Sequence, residues 1–229
     1  MKGTDLAFWA SAMKQYLREN GLTITLLVIS MATLVGQVFT GRLEYNAEHG
    51  TAPVSLWNYL STGHFQEALF ENWESEFLQM AAFVLLTIFL KQKGSSESKK
   101  LRGGNEVDED PRSADKTRSP WPVRRGGWAL RIYENSLSLA LLALFAFSFV
   151  MHAVGGARAQ RAEALLHGDK PVSSVAAYVT TSRFWFESFQ NWQSEFLSVA
   201  VLVVLSIYLR QRGSPQSKRV AAPHLETGE

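Results

Sequence analysis

The residues best placed for chemistry are polar and ionisable groups set inside otherwise apolar runs. Glu76 closes the stretch Phe70-Glu71-Asn72-Trp73-Glu74-Ser75-Glu76-Phe77, which returns as Phe189-Gln190-Asn191-Trp192-Gln193-Ser194-Glu195-Phe196, identical at six of eight positions. A carboxylate inside a membrane-spanning helix costs on the order of 2 to 3 kcal/mol, and such residues pair, bind cations or pass protons. The charge-free run from Phe77 to Leu90 has 14 residues. As a helix it reaches roughly 21 Å, too short to cross a hydrocarbon core unaided. The helix must therefore extend back through Glu76 and Asn72, carrying both into the outer part of the membrane. Gln37 lies 15 residues beyond Leu22, which puts it at a similar height. The second copy places Glu195 and His152 in the same way. The expected polar layer is thus Glu76 with Gln37 and Glu195 with His152, with Asn72 and Asn191 one turn further out on the same faces. Two chemistries fit it. In one, the carboxylates line a wet cavity that binds a cation or relays protons, with His152 as a second titrating group. In the other, each Glu is a hydrogen-bonded lock between helices.

Trp73, Trp192 and Trp57 read as anchors at the membrane–water interface. His49 and His167 stand near loop turns. His64 lies near Glu67, but the second copy has Arg183 at the equivalent place, which weakens a shared metal role. No tight ligand spacing, Gly-rich phosphate loop or nucleophile elbow occurs. The chain has no cysteine, which removes disulfides and thiolate chemistry. No metal, no cofactor and no enzymatic activity are expected. The formal net charge is +2 over 229 residues, and no basic face with interleaved aromatics suggests nucleic acid as a partner.

The elements that would carry these residues follow from the apolar blocks. Residues 1–20 place Leu6, Trp9, Met13, Tyr16 and Leu17 near helical spacing, which predicts an amphipathic helix on a membrane surface. Leu22 to Gly41 is an uncharged run of 20 residues, roughly 30 Å as a helix and one hydrocarbon core in length. Four spans are predicted, over about 22–41, 70–90, 137–156 and 186–209. Ser55 is a candidate N-cap for a short interfacial helix with Trp57 and Tyr59. Residues 1–93 form a first two-helix repeat and 128–212 a second. Residues 94–127, rich in Gly, Ser, Pro and charges of both signs, read as a disordered linker, and 213–229 as a disordered tail.

The whole pattern recurs. Tyr133-Glu134-Asn135-Ser136-Leu137 answers Arg18-Glu19-Asn20-Gly21-Leu22. His167 to Ser173 answers His49 to Ser55, and Arg210-Gln211-Arg212-Gly213-Ser214 answers Lys91-Gln92-Lys93-Gly94-Ser95. Of the 23 Lys and Arg, eighteen lie in the termini and linker. The other two loops hold only Arg42, Arg158, Arg161, Lys170 and Arg183, so termini and linker are expected in the cytoplasm. The expected fold class is all-α integral membrane: four transmembrane helices as two parallel helical-hairpin repeats, N-in and C-in, with short interfacial helices.

Three segments carry a resemblance: the Phe-Glu-Asn-Trp-Glu-Ser-Glu-Phe-Leu-Gln-Met run, the His-Gly-x-x-Pro-Val-Ser loop and the Arg-Glu-Asn-Gly-Leu opening. Together they resemble an uncharacterised family of small bacterial four-helix membrane proteins. The likeness covers nearly the whole chain outside the linker and tails. It implies a multi-pass protein of the bacterial inner (plasma) membrane and no particular activity. The second copy departs from the first at Gln190, Gln193 and Arg183, so a site need not be twofold. The leading expectation is a non-enzymatic structural or partner-binding protein. Its partners would be the lipid bilayer and a homo-oligomer or another membrane protein, for which Ala32 and Gly36 are a small-residue contact signal. The alternative is a small cation- or proton-coupled transporter or channel using Glu76, Glu195 and His152.

Overall fold

A computed structural model describes residues 2–50 and 53–228, with the side chains of 2–7 excepted. Leu6 of the expected surface helix, and Thr51 and Ala52 of the expected loop, therefore lie wholly or in part outside the described residues. The described chain is all-α, with no strand. In order, the helices are α1 Lys2–Glu19, α2 Gly21–His49, α3 Leu56–Leu60, α4 Gly63–Phe89, α5 Trp121–Arg125, α6 Gly127–Glu134, α7 Ser136–His167, α8 Val175–Val179 and α9 Ser182–Tyr208.

Three of them, α2, α7 and α9, are long and apolar enough to cross a membrane, their 18-residue apolar stretches having mean hydropathies of 2.0, 2.2 and 1.2. The fourth long helix, α4, has 27 residues but is interrupted by Glu67, Glu71, Glu74 and Glu76. Both helices that open the hairpins run further than the apolar blocks alone suggest. Helix α2 continues to His49, because Leu43, Glu44, Tyr45, Ala47 and Glu48 are sound helix formers. It stops at Gly50, whose φ of 53° gives the left-handed C-cap that glycine adopts without penalty. Helix α7 stops in the same way at Gly168, with φ 73°. Serine caps start the short helices. Ser55 Oγ accepts from the Asn58 amide at 3.2 Å, as expected, and Ser174 Oγ accepts from the Ala177 amide at 3.1 Å.

The chain forms two compact units, Met1–Phe65 and Gln66–Glu229. The reason lies in α4: from Gln66 onward its side chains pair with α7 and α9 rather than standing apart from the second half.

In the first unit, no described residue of α2 is buried. Phe8, Trp9, Met13, Tyr16 and Leu17 leave an apolar face of α1 open. Tyr59 of α3 is the buried anchor. Its ring lies so close to Gly41 that a Cβ there would meet the phenol oxygen at 2.2 Å. Its hydroxyl hydrogen-bonds His64 Nδ1 at 3.1 Å.

In the second unit, the core gathers Ala153, Ala157, Tyr178 and Phe184, with Phe149, Val172 and Val179 around them. Two adjacent glycines of α7 admit close neighbours. A Cβ on Gly155 would stand 2.6 Å from the Glu67 amide nitrogen, so α7 and α4 approach backbone to backbone there. A Cβ on Gly156 would meet the Tyr178 ring at 2.4 Å.

The segments after α4 and α9 carry turns and hydrogen bonds. Two 3-10 turns form at Glu106–Asp108 and Pro111–Ser113. The Gly94 amide donates to Thr227 Oγ1 at 2.7 Å, the Gly228 amide donates to the Ser95 carbonyl at 3.0 Å, and Ser95 and Ser206 share a hydroxyl bond at 2.8 Å. Lys218 is buried, its ammonium donating to the carbonyls of Pro223, His224 and Glu226. Short serine-rich loops close their own hydrogen bonds here.

Candidate functional site

Helix α4 presents Glu67, Glu71 and Glu74 at spacings of four and three, which stacks three carboxylates on one face. That face meets His152 at the middle of α7. His152 and Glu74 are both fully buried. The imidazole Nδ1–H donates to Glu74 Oε2 at 2.8 Å, which fixes the ring's orientation. Glu74 Oε1 accepts from the Trp192 indole Nε1–H at 3.0 Å. Phe184 stacks on the imidazole at 4.8 Å between ring centres, 28° from parallel. The other ring nitrogen, Nε2, faces Glu187 Oε2 at 3.4 Å.

Glu187, on α9, is the hub of the second half of the cluster. Its Oε1 accepts from Arg183 Nε at 2.9 Å, one turn earlier on the same helix. The same guanidinium donates to Glu163 at 2.5 Å and lies 3.7 Å from Glu67. Tyr178, fully buried at the end of the short α8, stands between two carboxylates. Its hydroxyl is 2.9 Å from Glu67 Oε1 and 2.8 Å from Glu187 Oε2. A phenol has one proton to donate. The hydroxyl either shares that proton between the two carboxylates or donates it to one of them. Burial first, then the charges of Glu67 and Glu187, holds the Tyr178 hydroxyl above the ordinary phenol range.

Glu71, Glu74 and Glu187 gather around the His152 imidazole, and the Arg183 guanidinium engages Glu187 and lies beside Glu67. Two of the four carboxylates, Glu67 and Glu74, are buried, where an unpaired charge is costly. The cluster can hold extra protons or an added cation. No metal set is suggested by residue spacing in the sequence, yet the fold brings one ligand atom each from Glu71, His152 and Glu187 within 4.8 Å of one another.

Of the expected layer, His152 is at the centre. Its partner is not Glu195 but Glu74, from the other half of the chain, and Glu187. Glu76 points away, exposed, two residues past Glu74, and Glu195 is half-buried. Asn72 and Asn191 turn back on their own helices, donating to the carbonyls of Ala68 and Glu187 at 2.8 and 3.1 Å. Gln37 is half-buried on α2 of the first unit. Trp192 is a hydrogen-bond donor to buried Glu74 rather than only an interface anchor. Trp73 and Trp57 are exposed, at 42% and 78%. The residues that spacing missed, Glu67, Glu71, Glu74 and Glu187, lack carboxylate counterparts in the other copy. Weighting the identical positions of the repeat drew attention to Glu76 and Glu195 instead. The signal that could have found them is the helical spacing of Glu67, Glu71 and Glu74.

The family model described as a domain of unknown function, DUF6766, matches residues 13–229. The chain belongs to that family. No curated protein and no solved structure matches it.

Proposed function

With that membership as the premise, we propose that this is a non-enzymatic, multi-pass protein of the bacterial inner membrane that takes cations into the buried carboxylate cluster around His152. In this reading α2, α4, α7 and α9 all cross the bilayer as two hairpin repeats, and the termini and linker face the cytoplasm. The repeat is supported by matching details. Gly41 admits Tyr59 as Gly156 admits Tyr178. The Gln92 and Gln211 amides each donate to the serine six residues on, both at 2.9 Å. A fourth span at α4 is supported by the burial of two of its carboxylates, Glu67 and Glu74, the latter fully covered and hydrogen-bonded to His152.

The observation that carries the functional reading is the gathering of four carboxylates, two of them buried, around His152 and Arg183, with Tyr178 held between two of them. Structural locking has its own support in the full pairing of Glu74 by His152 and Trp192, and it is the second reading.

Flux into liposomes separates the two. Protein reconstituted with an internal pH dye, under imposed pH gradients and with added cations, is expected to exceed protein-free liposomes. Glu67→Gln is expected to lower that flux at least tenfold. Rates equal to protein-free liposomes under every gradient and cation would leave only the lock.

A further inference from the structure

Resting on the cation-binding reading and naming its ligand, we propose that Glu71, His152 and Glu187 form a binding site for a first-row divalent transition metal ion of the zinc or cobalt type. The imidazole is prepared as metal-binding histidines are. Its Nδ1–H is held by the Glu74 carboxylate at 2.8 Å, and Glu74 is in turn held by the Trp192 indole at 3.0 Å. A carboxylate on one ring nitrogen fixes the tautomer, directs the lone pair of the other toward the ion and raises its basicity. That second nitrogen, Nε2, faces Glu187 Oε2 at 3.4 Å. This is long for a hydrogen bond. It matches the roughly 3.3 Å edge between two ligands each about 2.0 to 2.1 Å from a tetrahedral ion. Glu71 completes the set within 4.8 Å, and side-chain movement of about an ångström closes it.

The donor set chooses the class of ion. Two carboxylate oxygens and one imidazole nitrogen suit zinc, cobalt or manganese. Magnesium and calcium favour oxygen-only shells. Three protein ligands leave a fourth position open for water or a transported anion. One turn from His152 on α7, the fully buried Ser148 hydroxyl finds no hydrogen-bond partner in the protein. It offers a further polar group on that face. Arg183 and Tyr178 already engage Glu187, so the site is held together from outside the ligand set.

The test uses the full-length protein in detergent, stripped with chelator and titrated with cobalt(II). The expected result is one ion per chain by elemental analysis, with the visible d–d bands of a nitrogen- and oxygen-ligated tetrahedral or five-coordinate ion. Zinc is expected to displace it and magnesium is not. Glu71 makes none of the hydrogen bonds described around His152, so Glu71→Gln should fold like the wild type and bind at least tenfold more weakly. Glu76→Gln should bind as the wild type does. Absence of stoichiometric cobalt, or unchanged affinity in Glu71→Gln, overturns the assignment. If no metal binds while liposome proton flux still depends on Glu67, the metal site fails and the cation-binding reading stands.

Discussion

Gly155→Ala should damage the protein through a single methyl group. The added Cβ would lie 2.6 Å from the Glu67 amide nitrogen, 2.9 Å from the Gln66 carbonyl carbon and 3.0 Å from the Gln66 Cβ. Ordinary contacts are about 3.5 to 4.0 Å, so α7 must move away from α4 by roughly 1 Å. Two of the three atoms met are backbone, and no side-chain rotation relieves them. Overpacking of this kind costs about 1 to 3 kcal/mol. His152 lies three residues away on α7. A shift of that size stretches its 2.8 Å bond to Glu74, and weakening a charged hydrogen bond adds roughly 1.5 to 3 kcal/mol. Alanine returns about 1 kcal/mol as the better helix former, leaving a net loss of roughly 1.5 to 5 kcal/mol. At roughly 2 to 4 °C per kcal/mol for a chain of this size, the thermal midpoint should fall by about 3 to 20 °C. Tryptophan-fluorescence melts in detergent read it directly. Gly36→Ala is the control: nothing lies within 4 Å of its Cβ, so it should be neutral or slightly stabilising. A Gly155→Ala midpoint at or above the wild type would refute the close crossing of α4 and α7.

Other outcomes follow from the same geometry. Trp192→Phe keeps the ring but removes the donor to Glu74 at 3.0 Å; it should cost about 1.5 to 3 kcal/mol, while Trp73→Phe, at an exposed ring, should stay within about 0.5 kcal/mol in the same melts. Gly156→Ala, set against the Tyr178 ring at 2.4 Å, should lower the midpoint by less than Gly155→Ala, because a ring yields more readily than backbone. Tyr59 is pushed up to about 12 by burial and then by the Glu44 charge. A raised folded-state value means that its stabilisation is complete below the ordinary phenol value and is lost as pH climbs from about 10 toward 12. Melts across that window should show the loss in the wild type and a smaller one in Tyr59→Phe.

The sequence is a good guide to what depends on local periodicity. The apolar runs locate α2, α7 and the inner part of α9, Ser55 announces its cap, and helical rise alone puts His152 at the height of the Glu-bearing motif. It misleads where partner choice depends on rotation about a helix axis. Glu74 and Glu76 sit two residues and about 200° apart on α4, so one enters the core and the other leaves it. Height arithmetic cannot separate them. The pairing of α4 with α7 and α9, across the two halves of the chain, is equally invisible to a repeat read as self-contained hairpins. The serine-rich segments after α4 and α9 look like solvated tethers by composition, yet hydroxyl–amide bonds such as Ser98 Oγ to the Gln92 amide, 2.9 Å long, shape them.

The most direct measurement is the thermal midpoint of Glu74→Gln beside Glu76→Gln in one detergent. Glutamine at 74 keeps the size but loses the charge that His152 and Trp192 converge on. Breaking a buried pair from one side costs about 3 to 5 kcal/mol, so a large fall is predicted, with little change for exposed Glu76. Equal midpoints for the two variants, or a larger fall for Glu76→Gln, would contradict the account.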